Sequence, residues 1–397
     1  MISVSEATTI ILSQLFKPSA VRLKLQDCTG KVLAAPVVAD RDLPAFHRVA
    51  MDGIAILYKE WEKGRRTFII AGTQAAGEEQ KAVPDSTQCM EVMTGAILPA
   101  GCDTVIRYED LEVTNTEATI KTDAVAAWQS IHQQAADARK GQVLLEPGQI
   151  IAPSEVALLA SVGHAEVRVF DFPGVAIIST GDELVDMQTI PASWQIRRSN
   201  SYALQASVRE MGGDATCFHL EDDQAAMEES LTEIVRQYGV VILSGGVSKG
   251  KFDFVPAVLE NIGIRKLFHQ VSQRPGKPFW FGRSDNGTTA FALPGNPVST
   301  FMCFYRYVKP WILKSLGAPS EEQFAILGKD FSFPNALTYF LQVAARSERG
   351  CQIADPVPGG GSGDFANLKN VTGFLELPLE RSDFKAGEVF PYISFRR

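Results

Sequence analysis

Two glycines directly behind a short apolar run mark the place where chemistry is most legible in this chain. Val240-Val-Ile-Leu243 is the continuous apolar stretch of a strand buried on both faces, and Ser244, Gly245 and Gly246 end it. A glycine loop in that position turns backbone N–H groups toward an anion, and Ser248, Lys249 and Lys251 add a hydroxyl and two ammonium groups. Asp253, at the start of the helix expected next, adds a carboxylate suited to a metal ion beside the anion. Gly245 to Lys251 also fits G-x-x-x-x-G-K, but an ATPase loop needs Ser or Thr next to hold magnesium, and Phe252 stands there.

Four more segments carry the same mixture of small, cationic and acidic residues. They are Ser179-Thr-Gly-Asp-Glu-Leu184, Glu221-Asp-Asp223, Arg274-Pro-Gly-Lys-Pro278 and Leu293-Pro-Gly-Asn-Pro-Val-Ser299. Arg274, Lys277, Lys249 and the loop amides suit an oxyanion, whereas Asp182, Glu183, Asp222, Asp223 and Asp253 suit a hard cation with oxygen ligands. Taken singly, each of these acids reads first as a solvated helix cap or turn residue. Their conjunction with cations points to a metal–phosphate substrate. Pro275-Gly276 and Pro294-Gly-Asn-Pro297 fix backbone direction, and Asn296 and Ser299 open an apolar helix running to Leu316 whose N-terminus favours an anion. No Ser/His/Asp or Cys/His arrangement presents itself among only five histidines, so covalent catalysis by a side chain is not expected. Thr180-Gly-Asp-Glu183 is not the G-x-G-x-x-G of a nicotinamide dehydrogenase.

The elements that position these loops follow from the apolar pattern. Strands at 175–178, 216–220 and 240–243 alternate with helix candidates at 201–211, 223–237 and 253–261, which predicts a parallel, doubly wound α/β sheet. Ligands of such sheets bind beyond the carboxyl ends of the strands, so all five loops are expected at one edge. Before this unit come an N-terminal helix within residues 2–15, a strand at 21–25, a turn at 27–30 and a polar, interrupted loop at 40–56. Short β runs between Thr67 and Lys121 predict a β-rich insertion, and 152–163 reads as a helix with Ser154 as N-cap and Gly163 as stop. Beyond Gly317 the chain predicts a small C-terminal β domain with a glycine-rich loop at 356–364, either a lid or a turn, and a strand at 373–378. The expected domains are 1–43 with 132–170, the insertion at 44–131, the doubly wound part at 171–317, and 318–397.

With 397 residues and a net charge of −8, the chain is acidic, which argues against nucleic acid as a partner and makes any anion site a local basic pocket. Six scattered cysteines without ligand spacing suggest thiols in a reducing, cytoplasmic compartment. The N-terminus lacks the basic region and cleavage site of a signal peptide, and no apolar run approaches membrane-spanning length.

The ordered motifs resemble the molybdopterin molybdenumtransferase family, which includes bacterial MoeA and the E domain of gephyrin. They are Leu43-Pro-Ala-Phe46 with Ala50-Met-Asp-Gly53, Val92-Met-Thr-Gly-Ala96 with Leu98-Pro99, Ser179 to Leu184, Ser199-Asn-Ser201, Ser244-Gly-Gly-Val-Ser248, Pro275-Gly-Lys-Pro278 and Leu293 to Ser299. The resemblance runs from end to end and implies an elongated, four-part subunit that forms a homodimer with clefts shared between subunits. It implies a reaction that joins molybdate to adenylylated molybdopterin, releasing AMP and molybdenum cofactor with Mg2+ assisting, by metal-assisted attack of molybdate on a phosphoanhydride.

On this resemblance Lys277, Arg274, Ser248 and Ser299 contact molybdate or a terminal phosphate, and Asp182, Glu183, Asp222 and Asp253 position magnesium and the adenylate. Ser199, Asn200, Ser244, Gly245, Gly246, Pro278, Pro294, Asn296, Pro297 and Ser362 complete the substrate contacts. Asp52 and Thr94 lie in matching motifs outside the doubly wound part and would complete the other subunit's cleft. The chain departs from the family where His132, Gln133 and Gln134 stand for three arginines and Gln342 for another, a change that removes bidentate cationic donors. The alternative implied by those losses is a molybdopterin-binding or scaffold relative of the same fold that inserts no metal.

Overall fold

The computed structural model describes residues 1–248 and 253–396, and the chain forms two compact units. The larger comprises Met1–Ala35, Pro147–Val156 and Glu166–Arg397, the smaller Pro36–Glu146 and Ala157–Ala165. No helix of the described residues is long and apolar enough to cross a membrane.

The larger unit contains the expected doubly wound sheet. Its strands are β1 (Val175–Thr180), β2 (Ala215–Leu220), β3 (Val240–Ser244), β4 (Ile264–His269), β5 (Trp280–Ser284) and β6 (Thr289–Leu293). They lie in the order β2-β1-β3-β6-β5-β4. The first four of that row are parallel, and β5 and β4 are added antiparallel, an edge hairpin that the loop pattern did not announce. Every residue of β1, β3 and β6 is buried, because helices cover both faces.

The crossover helices are α1 (Asn200–Glu210), α2 (Gln224–Gln237) and α3 (Val255–Asn261). Asp223 is the N-cap of α2, its carboxylate accepting from the Ala226 N–H at 2.8 Å, so this acid has the capping role rather than the cation-binding one. The apolar helix after Pro297 is broken internally: α4 (Pro297–Cys303) runs through a π-turn, Phe304–Val308, into α5 (Lys309–Ser315). Strand order reverses between β1 and β3, which leaves a crevice beyond Thr180 and Ser244 where neither neighbouring loop covers the sheet edge.

The C-terminal β domain is a closed ring. Thr338–Glu348, Cys351–Pro356, Gln323–Leu327, Val389–Ser394 and Gly373–Leu377 pair in that order, and the last pairs back to the first. Gln273–Arg274 joins this sheet beside Thr338–Tyr339, so the segment after β4 leaves the doubly wound sheet before β5 returns to it. The smaller unit is built on a six-stranded sheet that includes Gly53–Ile56, Thr67–Gln74, Gln88–Val92 and Thr104–Arg107. Gly53–Ile56 corrects the reading of 40–56 as one polar loop. Its four residues are a buried inner strand, and a Cβ at Gly53 would lie 1.9 Å from the Ile106 carbonyl.

The helix at Pro153–Ser161 starts one residue ahead of its expected cap. Ser154 therefore lies inside it, and Glu155 serves the Ala152 N–H at 2.9 Å instead. Gly163, at φ +79°, stops the helix as expected.

Candidate functional site

At the switch-point crevice the larger unit opens a cavity of about 540 Å³. Its floor is the end of β3. Gly245 and Gly246 take φ +107° and +66°, the left-handed region that a side chain adopts only at a cost. Added Cβ atoms would lie 2.8 Å from the Thr180 hydroxyl at Gly245 and 2.6 Å from Val255 at Gly246, so the loop lies flush on β1 and α3 and leaves its backbone to the cavity. Asn200 ties this floor together. Its amide donates to the Ser244 hydroxyl at 2.7 Å and to the Gly295 carbonyl at 2.8 Å, which joins α1, β3 and the loop after β6.

Glu183, Ser199, Asn200, Asp222, Ser244, Gly245, Gly246, Ser248, Asp253, Pro278, Pro294, Asn296 and Pro297 all line this cavity, as the sequence placed them at one edge. Asp182 does not. Its carboxylate instead accepts from the Asp222 N–H at 3.0 Å, and so it shapes the turn after β2. Burial, and then the negative charges of Asp182, Glu183 and Asp253, push the Asp222 carboxyl above the usual carboxylate range. Among the described residues no three His, Cys, Asp or Glu side chains converge at metal-ligand spacing. The four acids are thus no ready-made cage. They fit instead an ion held by one or two carboxylates and completed by substrate oxygens and water, as magnesium commonly is. Lys249, Lys251 and Phe252 lie outside the described residues.

Arg274, Lys277 and Ser299 correct the expectation of a single edge. They line a second cavity of about 270 Å³, together with Ser362 and residues of the C-terminal ring. The cause is topological: Gln273–Arg274 pairs with Thr338–Tyr339, which draws the following loop toward the ring. The two cavities adjoin, since Pro278, Pro294 and Asn296 line both. Ser362 is fixed at the second by the Asn296 amide, which donates to its hydroxyl at 2.9 Å, and by the Val298 N–H, which donates to its carbonyl at 3.1 Å. Asp364 accepts from the Gly360 N–H at 2.8 Å, so the glycine-rich loop is tied at several points. Gln342, in the second cavity, accepts from the Asn367 amide at 3.2 Å.

Asp52 and Thr94 belong to the smaller unit and meet there. One Asp52 carboxylate oxygen accepts from the Thr94 N–H at 2.6 Å and from its hydroxyl at 2.7 Å, and these bonds hold the carboxyl below its usual range. In the same unit His132 bridges Arg48 at 3.0 Å and Asp137 at 2.8 Å, so the histidine that stands for an arginine has a paired structural role.

Sequence reasoning missed Arg197 and Arg198, which line the first cavity just ahead of Ser199. The signal was two adjacent arginines before a helix N-terminus. Arg198 donates to Asp186 at 2.6 Å, while its Nε is buried without a partner among the described residues.

The fold and site define a doubly wound α/β protein with a switch-point cavity suited to a phosphate ester, joined to a smaller cation-lined cavity against a β ring. Family models match along nearly the whole chain: "MoeA N-terminal region (domain I and II)" over residues 2–163, "Probable molybdopterin binding domain" over 176–314 and "MoeA C-terminal region (domain IV)" over 325–395. The molybdopterin molybdenumtransferase of Synechocystis sp. is 39% identical over 100% of both chains, and that of Haemophilus influenzae is 33% identical over 98% of this chain and 97% of its own. A crystal structure titled as the molybdopterin biosynthesis MoeA protein of Pyrococcus horikoshii superposes with a TM-score of 0.86 at 26% identity, covering 100% of both chains. This chain belongs to the molybdopterin molybdenumtransferase family, a family of transferase enzymes.

Proposed function

We propose that this protein inserts molybdenum from molybdate into adenylylated molybdopterin and releases AMP, with Mg2+ required. The observation that carries the reading is the pair of adjoining cavities with different chemistry. The first offers the Gly246 end of the glycine loop beside carboxylates, the Gly245 N–H being taken by the Leu293 carbonyl at 3.2 Å, and this suits a phosphoanhydride. The second offers Arg274 and Lys277, which suits a tetrahedral dianion.

In this reading Asp222, with Glu183 and Asp253, holds the magnesium ion, which supplies charge neutralisation at the phosphoanhydride oxygens. Burial first, and then the charges of Asp182 and Glu183, raise the proton affinity of Asp222, and a divalent cation at the carboxylate would offset both. The loop from Gly246 onward fixes the phosphates, Asn200 holds that loop, and Arg274 and Lys277 orient the oxyanion toward the wall at Pro278, Pro294 and Asn296. No side chain forms a covalent bond to substrate. We further propose the four-part domain division and a cytoplasmic homodimer in which Asp52 and Thr94 of one subunit complete the cleft of the other.

The test is to incubate the purified protein with adenylylated molybdopterin, magnesium and molybdate. AMP release and activation of a cofactor-free molybdoenzyme are then followed together. Both are expected to depend on molybdate and on magnesium. Tight binding of the adenylate without release would move the chain to the second reading, a molybdopterin-binding relative. The specific observation behind that reading is Gln342, an uncharged amide engaged with Asn367 in the cation-lined cavity.

A further inference from the structure

From Gln273 in the wall of the second cavity a buried polar chain runs inward that apolar packing alone does not call for. Gln273 has no exposed surface, yet both ends of its amide are engaged. Its Nε2 donates to the Gly276 carbonyl at 2.9 Å, and its Oε1 accepts from the Tyr307 hydroxyl. Tyr307 lies in the π-turn Phe304–Val308 and is itself only 2% exposed. Its neighbour Arg306 lies 5.1 Å from the Tyr307 ring centroid and forks onto Glu376 at 2.6 and 3.3 Å. Glu376 belongs to Gly373–Leu377 of the C-terminal ring, so the chain is anchored at its far end in a second layer.

The near end is the informative one. Gly276 stands between Arg274 and Lys277, the two cations of the cavity, and its φ is +92°. A Cβ there would lie 2.7 Å from Cys303 Sγ and 2.8 Å from Gln273 Nε2, so the loop sits flush on the helix and on this amide. A buried amide left unpaired is costly, and a π-turn inside a helix is itself unfavourable. Both features converge on one carbonyl in the cation-bearing loop.

We propose that Gln273 and Tyr307 are positioning residues that hold the Arg274–Lys277 loop in register for a tetrahedral oxyanion. The inference rests on the reading that the second cavity takes that oxyanion. Tyr307 does not line the cavity and acts through Gln273. A loop fixed in advance binds its ligand without an ordering cost, so the effect of the tie falls on oxyanion affinity and not on the adenylate.

The test uses the full chain, Tyr307→Phe, and the double variant Gln273→Met/Tyr307→Phe, which removes the tie together with its buried amide. Calorimetry with molybdate and with adenylylated molybdopterin is read beside thermal melting. Molybdate dissociation constants are expected to rise about three- to tenfold in both variants, the worth of a single neutral hydrogen bond, with the adenylate constant unchanged. Equal weakening of both ligands, in step with lost thermal stability, would mean a packing role only and would overturn the proposal, as would molybdate binding left at the wild-type level. Wild-type protein that binds molybdate but does not release AMP would end the transferase reading and leave this comparison intact. Wild-type protein that binds no molybdate would end both.

Discussion

The two adjoining cavities of the larger unit share three residues of one wall and differ in charge: the first mixes acids with Arg197 and Arg198, and the second is purely cationic. The first is lined by Glu183, Asp222 and Asp253, the second by Arg274 and Lys277 with no acid among its described lining residues. Among the described residues neither Arg274 nor Lys277 forms an ion pair. Arg198, on the acidic side, does pair, with Asp186 at 2.6 Å. The contrast shows what the separation achieves. Arg274 and Lys277, held across a proline–glycine wall from the acids, keep their charge for a ligand, whereas Arg198 is drawn onto Asp186.

Breaking the acidic side is expected to have the largest effect. Asp222→Asn should lower molybdate-dependent AMP release about a hundredfold, since it removes a charge fixed at the reacting group. Wild-type AMP release and cofactor yield would remove Asp222 from the site. On the basic side, Lys277→Ala should raise the molybdate dissociation constant about tenfold or more with little change in adenylate binding, because one charge-assisted contact is lost. An unchanged molybdate requirement would show that the two cavities do not divide the ligands in this way.

The floor of the first cavity gives a smaller effect, on stability. Gly246→Ala combines φ +66° with a Cβ 2.6 Å from Val255 Cγ2, and is expected to cost about 1–3 kcal/mol in urea unfolding. A variant as stable as the wild type would mean that the loop relaxes freely.

The finest test is of pH. Burial and then Asp182 raise the Asp222 carboxyl above its unfolded value of about 4, so its ionised form opposes folding. Its contribution to stability falls as pH rises from about 4 through the raised value. Activity that needs the ionised carboxylate runs the other way and declines as pH falls through the same window. Asp182→Asn removes the largest neighbouring charge and should move the acid limb of AMP release to lower pH. A limb that stays in place would mean that Asp222 does not govern it.

Much of the fold was legible because its signals are local. The runs of β1, β2 and β3 and the helices between them fall within a residue or two of their sequence boundaries, since strands buried on both faces, as β1 and β3 are, must be apolar throughout. The strand Gly53–Ile56 was hidden because polar residues precede it, and its burial comes from partners distant in sequence, Gln88–Val92 and Thr104–Arg107. Arg198 was hidden for a related reason: an arginine before a helix reads as solvated until a cavity is seen beside it.

The sequence alone determined which chemistry the chain carries. Left-handed glycines after a buried strand, acids after its neighbours and cations between prolines are properties of residue type and order. Only the tertiary structure decided how that chemistry is divided. Gln273–Arg274 leaves one sheet for another through backbone pairing with Thr338–Tyr339, some sixty residues further along the chain. That pairing puts the cations in their own cavity, and no local pattern near Arg274 encodes it, because strand register is chosen by the partner as much as by the strand.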